Sequence, residues 1–122
     1  MKILLVDDST TMRNIQKKIL TGLGYTEIAE AADGLQAVAA YTADKPDLML
    51  IDWNMPNMDG ITLVRKIRET DKNTLMMMVT TEAEKTRVIE AIKAGVNNYV
   101  VKPFTPAVLT EKLEQTLAKK AG

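Results

Sequence analysis

The residues best able to do chemistry in this chain follow short apolar runs. Asp7 and Asp8 follow KILLV, Asp52 follows LMLI, Thr80 follows LMMMV and Lys102 follows NYVV. Carboxylates bind hard cations, and a carboxylate can also act as a nucleophile. A hydroxyl, an ammonium group and a bound cation together can hold a phosphoryl group. What these side chains do depends on whether the fold brings them together.

The composition excludes several other kinds of chemistry. The 122 residues include no Cys and no His, which excludes disulfides, Cys or His nucleophiles and Cys/His zinc sites. Sixteen basic residues balance sixteen acidic ones, so we expect neither nucleic acid nor an anionic membrane as a partner. No apolar run approaches the roughly 20 residues of a membrane span, and the apolar part of MKILLVDD is too short for a signal peptide. We expect a cytoplasmic monomer with one domain over residues 1–122 and no output domain.

The apolar runs predict five short strands. They cover Lys2–Val6, Thr26–Ala31, Leu48–Ile51, Leu75–Val79 and Asn98–Val101. In the segment DLMLIDWNMPNMDG, Pro56 has no N–H to donate, so the third strand stops at Asp52. The second strand ends in Ala31-Ala32 and is expected to contribute nothing polar to a site.

Helical periodicity fills the intervals between the strands. Apolar residues recur at Met12, Ile15, Ile19 and Leu23 before Gly24, which is typical of a helix end. Further helices are predicted over 35–41, 60–70 and 83–94. In the helix over 83–94, Ile89 and Ile92 are predicted to face inward, and Gly95 ends it. Thr105-Pro106 predicts the start of a last helix.

The alternation of strand and helix five times predicts an α/β fold with a doubly wound parallel sheet. In such sheets, sites form beyond the carboxyl ends of the strands. Three carboxylates meeting there would repel by about 4 kcal/mol per pair at about 4 Å and an effective dielectric constant of about 20. A cation can offset this repulsion, and a set of oxygen ligands favours Mg²⁺.

The motifs together resemble a known family. The pair Asp7-Asp8, DWNMPNMDG around Asp52, Thr80 and GVNNYVVKPFT around Lys102 are similar to response regulator receiver domains, and among these to single-domain chemotaxis regulators. The resemblance covers essentially the whole chain. It implies the (βα)5 flavodoxin-like strand order 2-1-3-4-5 and a cis peptide bond between Lys102 and Pro103.

The resemblance also implies roles for individual residues. Asp52 would be the phosphoacceptor, with Thr80 and Lys102 contacting the phosphoryl group. Mg²⁺ would be bound by Asp8, Asp52 and the backbone carbonyl of Asn54, and by Asp7 through a water molecule. Thr80 and Tyr99 would switch conformation on phosphorylation, and the lifetime of the phosphoryl group would depend on two neighbouring positions, Asn54 and Glu82.

The implied partners are proteins. A histidine kinase would phosphorylate the receiver, a phosphatase could act on it, and a flagellar switch protein would bind its output face. Catalysis would be limited to the chain's own phosphorylation and dephosphorylation. The residues that match the output face are Ala83, Lys85, Val88, Tyr99, Val101 and Lys112, and Val88 is predicted to lie off the Ile89/Ile92 stripe.

Simpler interpretations and rival functions remain open from the sequence. Asp7-Asp8 and Thr80 could be helix caps, and Trp53 is interpreted as a partly exposed loop aromatic without a role. A phosphate sink or a pathway other than motility would keep the same chemistry. A small Mg²⁺-dependent phosphatase with an aspartyl nucleophile would need an acid at the position of Asn54. A flavodoxin-type flavin site would need a phosphate loop where DDSTTMR places acids.

Overall fold

The structure, a computed structural model, describes residues 1–121 and the surroundings of side chains through Lys119. The strands are β1 Lys2–Val6, β2 Glu27–Ala31, β3 Leu48–Ile51, β4 Leu75–Thr80 and β5 Asn98–Val101. The helices are α1 Thr10–Gly22, α2 Gly34–Ala43, α3 Gly60–Arg68, α4 Lys85–Ala94 and α5 Pro106–Ala121.

The five strands form one parallel sheet in the order β2-β1-β3-β4-β5. This confirms the predicted fold class and strand order. Strands β3 and β4 are buried along their whole lengths, which is why their sequences are unbroken apolar runs. Because β1, β3, β4 and β5 are neighbours, their carboxyl ends lie side by side. Within the described residues, no helix is both long enough and apolar enough to cross a membrane.

Successive strand residues point to opposite faces of the sheet, so the core has two layers. Helices α2, α3 and α4 cover one layer, whose buried residues include Leu4, Val6, Met49, Ile51, Met76, Met78, Leu63, Val64 and Ala91. Helices α1 and α5 cover the other, with Ile3, Leu5, Leu48, Leu50, Met77, Val79, Leu20, Leu109 and Leu113.

Four of the helices begin at side chains that cap their N-termini. Ser9, Asp33, Asp59 and Thr105 each accept a backbone N–H from three residues later, which satisfies one donor of the first turn. Helix α4 follows Glu84, whose side chain makes no such hydrogen bond. The first turn of α4 therefore depends on its other contacts.

Helix α4 faces the sheet with a different side from the predicted one. Ile89 and Ile92 are 43% and 51% exposed, whereas Ala91 is fully buried and Val88 packs against the core. The segment RVIEAIKA offers two overlapping apolar stripes, and the one containing the small side chain of Ala91 allows the helix to lie close to its neighbours. The prediction that the isoleucines face inward is wrong.

Two further expectations about exposure are corrected. Trp53 is 3% exposed and belongs to the core, because the loop after β3 folds back so that the Gly60 amide donates to the Trp53 carbonyl at 2.8 Å. In α1, Ile15 is 43% exposed while Gln16 is buried. The bounds of β1, β3 and β5 are as predicted, and the other predicted ends differ from the observed ones by at most two residues; α4, predicted from Ala83, begins at Lys85.

Candidate phosphoryl and metal site

Polar side chains from four strand ends converge at one edge of the sheet. The ammonium nitrogen of Lys102, just after β5, lies 2.6 Å from Asp7 Oδ2 after β1 and 3.3 Å from Asp52 Oδ2 after β3. Thr80, the last residue of β4, is fully buried beside them. The peptide bond between Lys102 and Pro103 is cis, as the resemblance implied.

The acidic residues form one cluster. Asp7, Asp8 and Asp52 each offer a carboxylate oxygen, and these oxygens lie within 4.8 Å of one another. Asp7 is 1% exposed and Asp52 8%, whereas Asp8 is open to solvent. The ammonium of Lys102 can balance only one of three carboxylates. The excess negative charge and the all-oxygen donor set fit a hard divalent cation such as Mg²⁺.

Opposing influences act on the Asp52 carboxyl. Burial raises the pKa of Asp52 and the charge of Asp7 raises it further, whereas the Lys102 ammonium and a hydrogen bond with Thr80 lower it. The net effect leaves the pKa of Asp52 above its ordinary value. The backbone N–H of Trp53 donates to Asp52 Oδ1 at 2.7 Å and orients the carboxylate. A positive charge at this site would therefore favour the ionised, nucleophilic form.

Thr80 and Tyr99 are linked through Glu82. The hydroxyl oxygen of Thr80 accepts the Glu82 backbone N–H at 3.3 Å, and the Tyr99 hydroxyl donates to the Glu82 carbonyl at 2.6 Å. Tyr99 is 9% exposed, and burial raises its pKa to about 12. The structure thus places Tyr99 in a buried orientation, in contact with the loop that follows Thr80.

Asn54 and Glu82 face each other above the site. The Asn54 amide donates to the Glu82 carboxylate at 3.0 Å, which connects the loop after β3 to the loop after β4. Asn54 is exposed and Glu82 is half-buried. Asn54 is two residues beyond Asp52 and Glu82 two residues beyond Thr80, so the pair joins the segments that follow these two site residues.

The residues predicted to form an output face differ in accessibility. Ala83, Lys85 and Val101 are exposed, whereas Val88 and Lys112 are half-buried. Val88 packs against the core beneath α4. Val88 does lie off the Ile89/Ile92 stripe, but the two isoleucines are the exposed residues and Val88 is on the side of α4 that faces the core. The use of this observation to place Val88 on the output face is therefore wrong.

Sequence reasoning missed one contributor to the site from the edge of the sheet. Arg13 of α1 donates to the Asp7 carbonyl at 2.5 Å and pairs with Glu30 of β2 at 3.1 Å. The Ser9 amide adds a hydrogen bond to Asp7 Oδ1 at 2.9 Å. The second strand, expected to supply nothing polar, thus supports Asp7 indirectly. The sequence signal that could have indicated this contact was Glu30, a charged residue inside the strand segment EIAEA, together with the basic residue Arg13 in the preceding helix.

Gly60 allows the start of α3 to lie against the backbone of Asp52. A Cβ atom at position 60 would lie 2.1 Å from the Asp52 carbonyl oxygen. Only glycine fits such a contact without moving the strand end. The Asp59-Gly60 turn therefore holds the strand end that carries Asp52 in place.

The comparisons with known proteins agree with this arrangement. Residues 3–114 match the response regulator receiver domain family. A "Chemotaxis protein CheY homolog" of Campylobacter jejuni is 53% identical over 125 residues, covering 100% of this chain and 96% of the relative. "Chemotaxis protein CheY1" of Helicobacter pylori is 52% identical, covering 96% of this chain and 97% of the relative.

A solved structure extends the comparison to three dimensions. The structure described as the CheX-CheY-BeF3-Mg+2 complex from Borrelia burgdorferi superimposes with a TM-score of 0.91 at 31% identity, covering 96% of this chain and 89% of that one. Sequence match, fold and the carboxylate–lysine–threonine cluster all lead to one assignment. The chain belongs to the response regulator receiver domain family.

Proposed function

We propose that this protein is a chemotaxis response regulator of a two-component system, phosphorylated on Asp52 by a histidine kinase. The observation that carries the proposal is the position of Lys102 Nζ, 3.3 Å from Asp52 Oδ2 and 2.6 Å from Asp7 Oδ2, beside a cluster of three carboxylates. This arrangement provides a nucleophile, a fixed positive charge and oxygen ligands in one place.

Mg²⁺ would be held by Asp8, Asp52 and the backbone carbonyl of Asn54, with Asp7 acting through a water molecule. The ion supplies positive charge that stabilises the oxygens of a phosphoryl group in transfer. The chemistry of the donor set supports this choice, because carboxylate and carbonyl oxygens are the ligands that Mg²⁺ prefers.

The residues of the chain supply the remaining functions. A carboxylate oxygen of Asp52 forms a bond to phosphorus as the bond from phosphorus to the histidine nitrogen of the kinase breaks. Lys102 holds positive charge beside that oxygen, and the Thr80 hydroxyl can donate to a phosphoryl oxygen. Asn54 and Glu82, which are hydrogen-bonded to each other in the segments that follow Asp52 and Thr80, would control how fast water reaches the phosphoryl group.

The output would be a change in protein binding. Thr80 and Tyr99 both contact Glu82, so a movement of Thr80 toward a phosphoryl group would alter the loop that Tyr99 contacts. The exposed residues of α4 and β5 would then bind the flagellar switch, as a shift in the population of two conformations. The names of the Campylobacter and Helicobacter relatives, which this chain matches over 96% and 97% of their lengths, support a role in chemotaxis.

The test is the mass of the intact protein after incubation with acetyl phosphate and Mg²⁺. We expect a gain of one phosphoryl group in the wild type and none in Asp52→Asn or after EDTA. Asp44→Asn is a matched control, because Asp44 is an exposed carboxylate outside the cluster, and it should gain the group normally. An equal gain in Asp52→Asn, or none in the wild type, would contradict the proposal.

A further inference from the structure

The loop over residues 53–59 carries the backbone carbonyl of Asn54 and joins β3 to α3. Its two ends are fixed to each other, since the Gly60 amide donates to the Trp53 carbonyl at 2.8 Å. Fixing the two ends does not by itself set the shape of the residues between them, and that shape decides where the Asn54 carbonyl points. The contacts of the middle of the loop therefore matter to any ligand of that carbonyl.

The middle of the loop is fastened by a side-chain hydrogen bond to another part of the fold. The Asn57 amide donates to Asp33 Oδ2 at 2.8 Å, across 24 residues of sequence. Asp33 is 7% exposed, and its other carboxylate oxygen, Oδ1, accepts the backbone N–H of Gln36 at 2.8 Å. The two oxygens of Asp33 thus have separate tasks, one capping α2 and one holding the loop.

A backbone contact lies beside this hydrogen bond. The Gly34 amide donates to the Met58 carbonyl at 3.2 Å. A Cβ atom at position 34 would lie 2.6 Å from both Met58 Cβ and the Met58 carbonyl oxygen, so the two segments of the chain are in close contact at Gly34. The turn before α2 and the loop after β3 therefore form one connected unit.

Asn57 also has a backbone conformation that needs support. Its φ angle is +68°, the left-handed region that non-glycine residues adopt at a cost. Such conformations persist where surrounding contacts hold them, and they concentrate at ligand sites. The bond to Asp33 is the side-chain contact that the structure provides for this purpose.

We propose that Asp33 and Asn57 are positioning residues for the cation site, holding the loop so that the Asn54 carbonyl faces the carboxylates of Asp8 and Asp52. The inference rests on the proposed function and adds two residues that touch neither the cation nor the phosphoryl group. Residues that orient the ligands of a metal commonly contribute about 10- to 100-fold to its affinity. The bond between Asp33 and Asn57 acts in that way, from the neighbouring βα unit.

Three variants separate this role from other effects. Asn57→Ala removes the amide and leaves the α2 cap intact. Asp33→Ser keeps a hydroxyl that can cap α2 by accepting the backbone N–H of Gln36, but it has no second oxygen to accept the side-chain amide of Asn57. Asn57→Gly removes the amide while relieving the left-handed backbone. Asn98→Ala is the matched control, because the Asn98 side chain likewise donates to an oxygen distant in sequence, the backbone carbonyl of Lys112, at the opposite end of the sheet.

The Mg²⁺ affinity of each purified protein is measured by titration calorimetry. We expect Kd to rise about tenfold in all three variants at positions 33 and 57, and to stay unchanged in Asn98→Ala. The double variant Asp33→Ser/Asn57→Ala should bind Mg²⁺ as tightly as either single variant, because each of the two substitutions removes the same hydrogen bond. Amide hydrogen exchange over residues 54–59, measured without metal, should become faster in the same variants.

The outcomes are distinguishable. If the wild type binds Mg²⁺ and gains a phosphoryl group but Asn57→Ala and Asp33→Ser bind Mg²⁺ equally well, the inference is wrong and the proposed function stands. If Asn57→Gly binds like the wild type while Asn57→Ala does not, backbone strain explains the loss and the bond to Asp33 has no such role. If the wild type binds no Mg²⁺, both the inference and the proposed metal site are overturned.

Discussion

The guanidinium carbon of Arg87 lies 5.2 Å from the centroid of the Trp53 ring. Trp53 is also the residue whose amide donates to Asp52 Oδ1. The first turns of α4 thus contact the residue next to the candidate phosphoacceptor. Because Glu84 does not cap α4 with its side chain, this stacking is one of the contacts that hold the helix start.

Arg87→Ala should change both stability and the tryptophan signal. Loss of the cation–π contact should lower the free energy of unfolding by about 0.5–1 kcal/mol, and the emission of Trp53, the single tryptophan, should change in wavelength or intensity. Unfolding in urea followed by circular dichroism gives the first quantity, and a fluorescence spectrum gives the second. Arg87→Lys should lie between Ala and the wild type, and an unaltered spectrum in Arg87→Ala would show that the stacking is absent in solution.

Gly60→Ala should be severely destabilising. The added Cβ would meet the Asp52 carbonyl oxygen at 2.1 Å, so the strand end or α3 must move. We expect a loss of about 3 kcal/mol or more in the free energy of unfolding, measured in urea. Gly22→Ala is the matched control, because a Cβ at the end of α1 would meet nothing within 4 Å. It should be neutral or stabilising by up to about 1 kcal/mol, and equal effects of the two changes would refute the argument.

The fold class and the candidate residues of the central site were predictable because both follow from local signals, whereas the strand order came from the resemblance to receiver domains. Unbroken apolar runs such as LMMMV indicate strands buried on both faces, and parallel strands bring their carboxyl ends to one edge. The residue after each run was therefore a candidate, and Asp7, Asp52, Thr80 and Lys102 do meet. Glycine and capping residues marked most helix ends for equally local reasons.

The remaining features depend on tertiary contacts that no local pattern contains. Trp53 follows a strand end in a loop, and only the return of the chain to Gly60 places it in the core. In α4 two apolar stripes overlap, and the closeness of packing selects Ala91 over Ile92. The bond from Asn57 to Asp33 joins two turns that are each unremarkable in sequence, although asparagine is a residue that tolerates a positive φ.

Asp71 is a buried carboxylate away from the candidate site, held by several donors. Tyr41 and Thr74 hydroxyls each donate to it at 2.5 Å, and Lys45 pairs with it at 3.2 Å. Burial raises the pKa of Asp71. The hydrogen bonds from Thr74, Tyr41 and the backbone N–H of Asn73 have a larger, opposite effect and hold the pKa well below its ordinary value. The ionised form therefore stabilises the folded state.

The stability provided by Asp71 should depend on pH in a defined direction. Since the pKa is lower in the folded than in the unfolded chain, this stability is present above about pH 4 and is lost as the pH falls further. Asp71→Asn should lower the free energy of unfolding by about 2 kcal/mol near pH 7. The difference from the wild type should shrink below about pH 4, as measured by urea unfolding over a pH series.

A control at an exposed ion pair separates this effect from general acid unfolding. Asp44 pairs with Lys2 at the surface, so Asp44→Asn should cost less than about 1 kcal/mol at any pH in the series. A pH-independent difference for Asp71→Asn would show that the hydrogen bonds do not depend on its charge.

Ile92→Asp should separate output from phosphorylation. Ile92 is 51% exposed on α4, on the same side as exposed Lys85 and Ile89, and such apolar surface fits a protein partner. A charge there should weaken binding of the proposed partner, the flagellar switch protein, by at least tenfold, while the proposed gain of a phosphoryl group at Asp52 stays unchanged. Binding is measured by titration of the phosphorylated protein, and acceptor function by intact mass.

The position of Val88 decides which variant is informative. Val88→Asp would place a carboxylate against the core beneath α4, so a loss of binding could reflect unfolding of the helix. Leu35→Asp is the matched control for Ile92→Asp, because Leu35 is 55% exposed on α2, away from α4. If Ile92→Asp and Leu35→Asp bind the partner as tightly as the wild type, α4 is not the output face. If Ile92→Asp alone loses binding while it still accepts phosphate, the exposed stripe of α4 is the surface through which the phosphorylated protein acts.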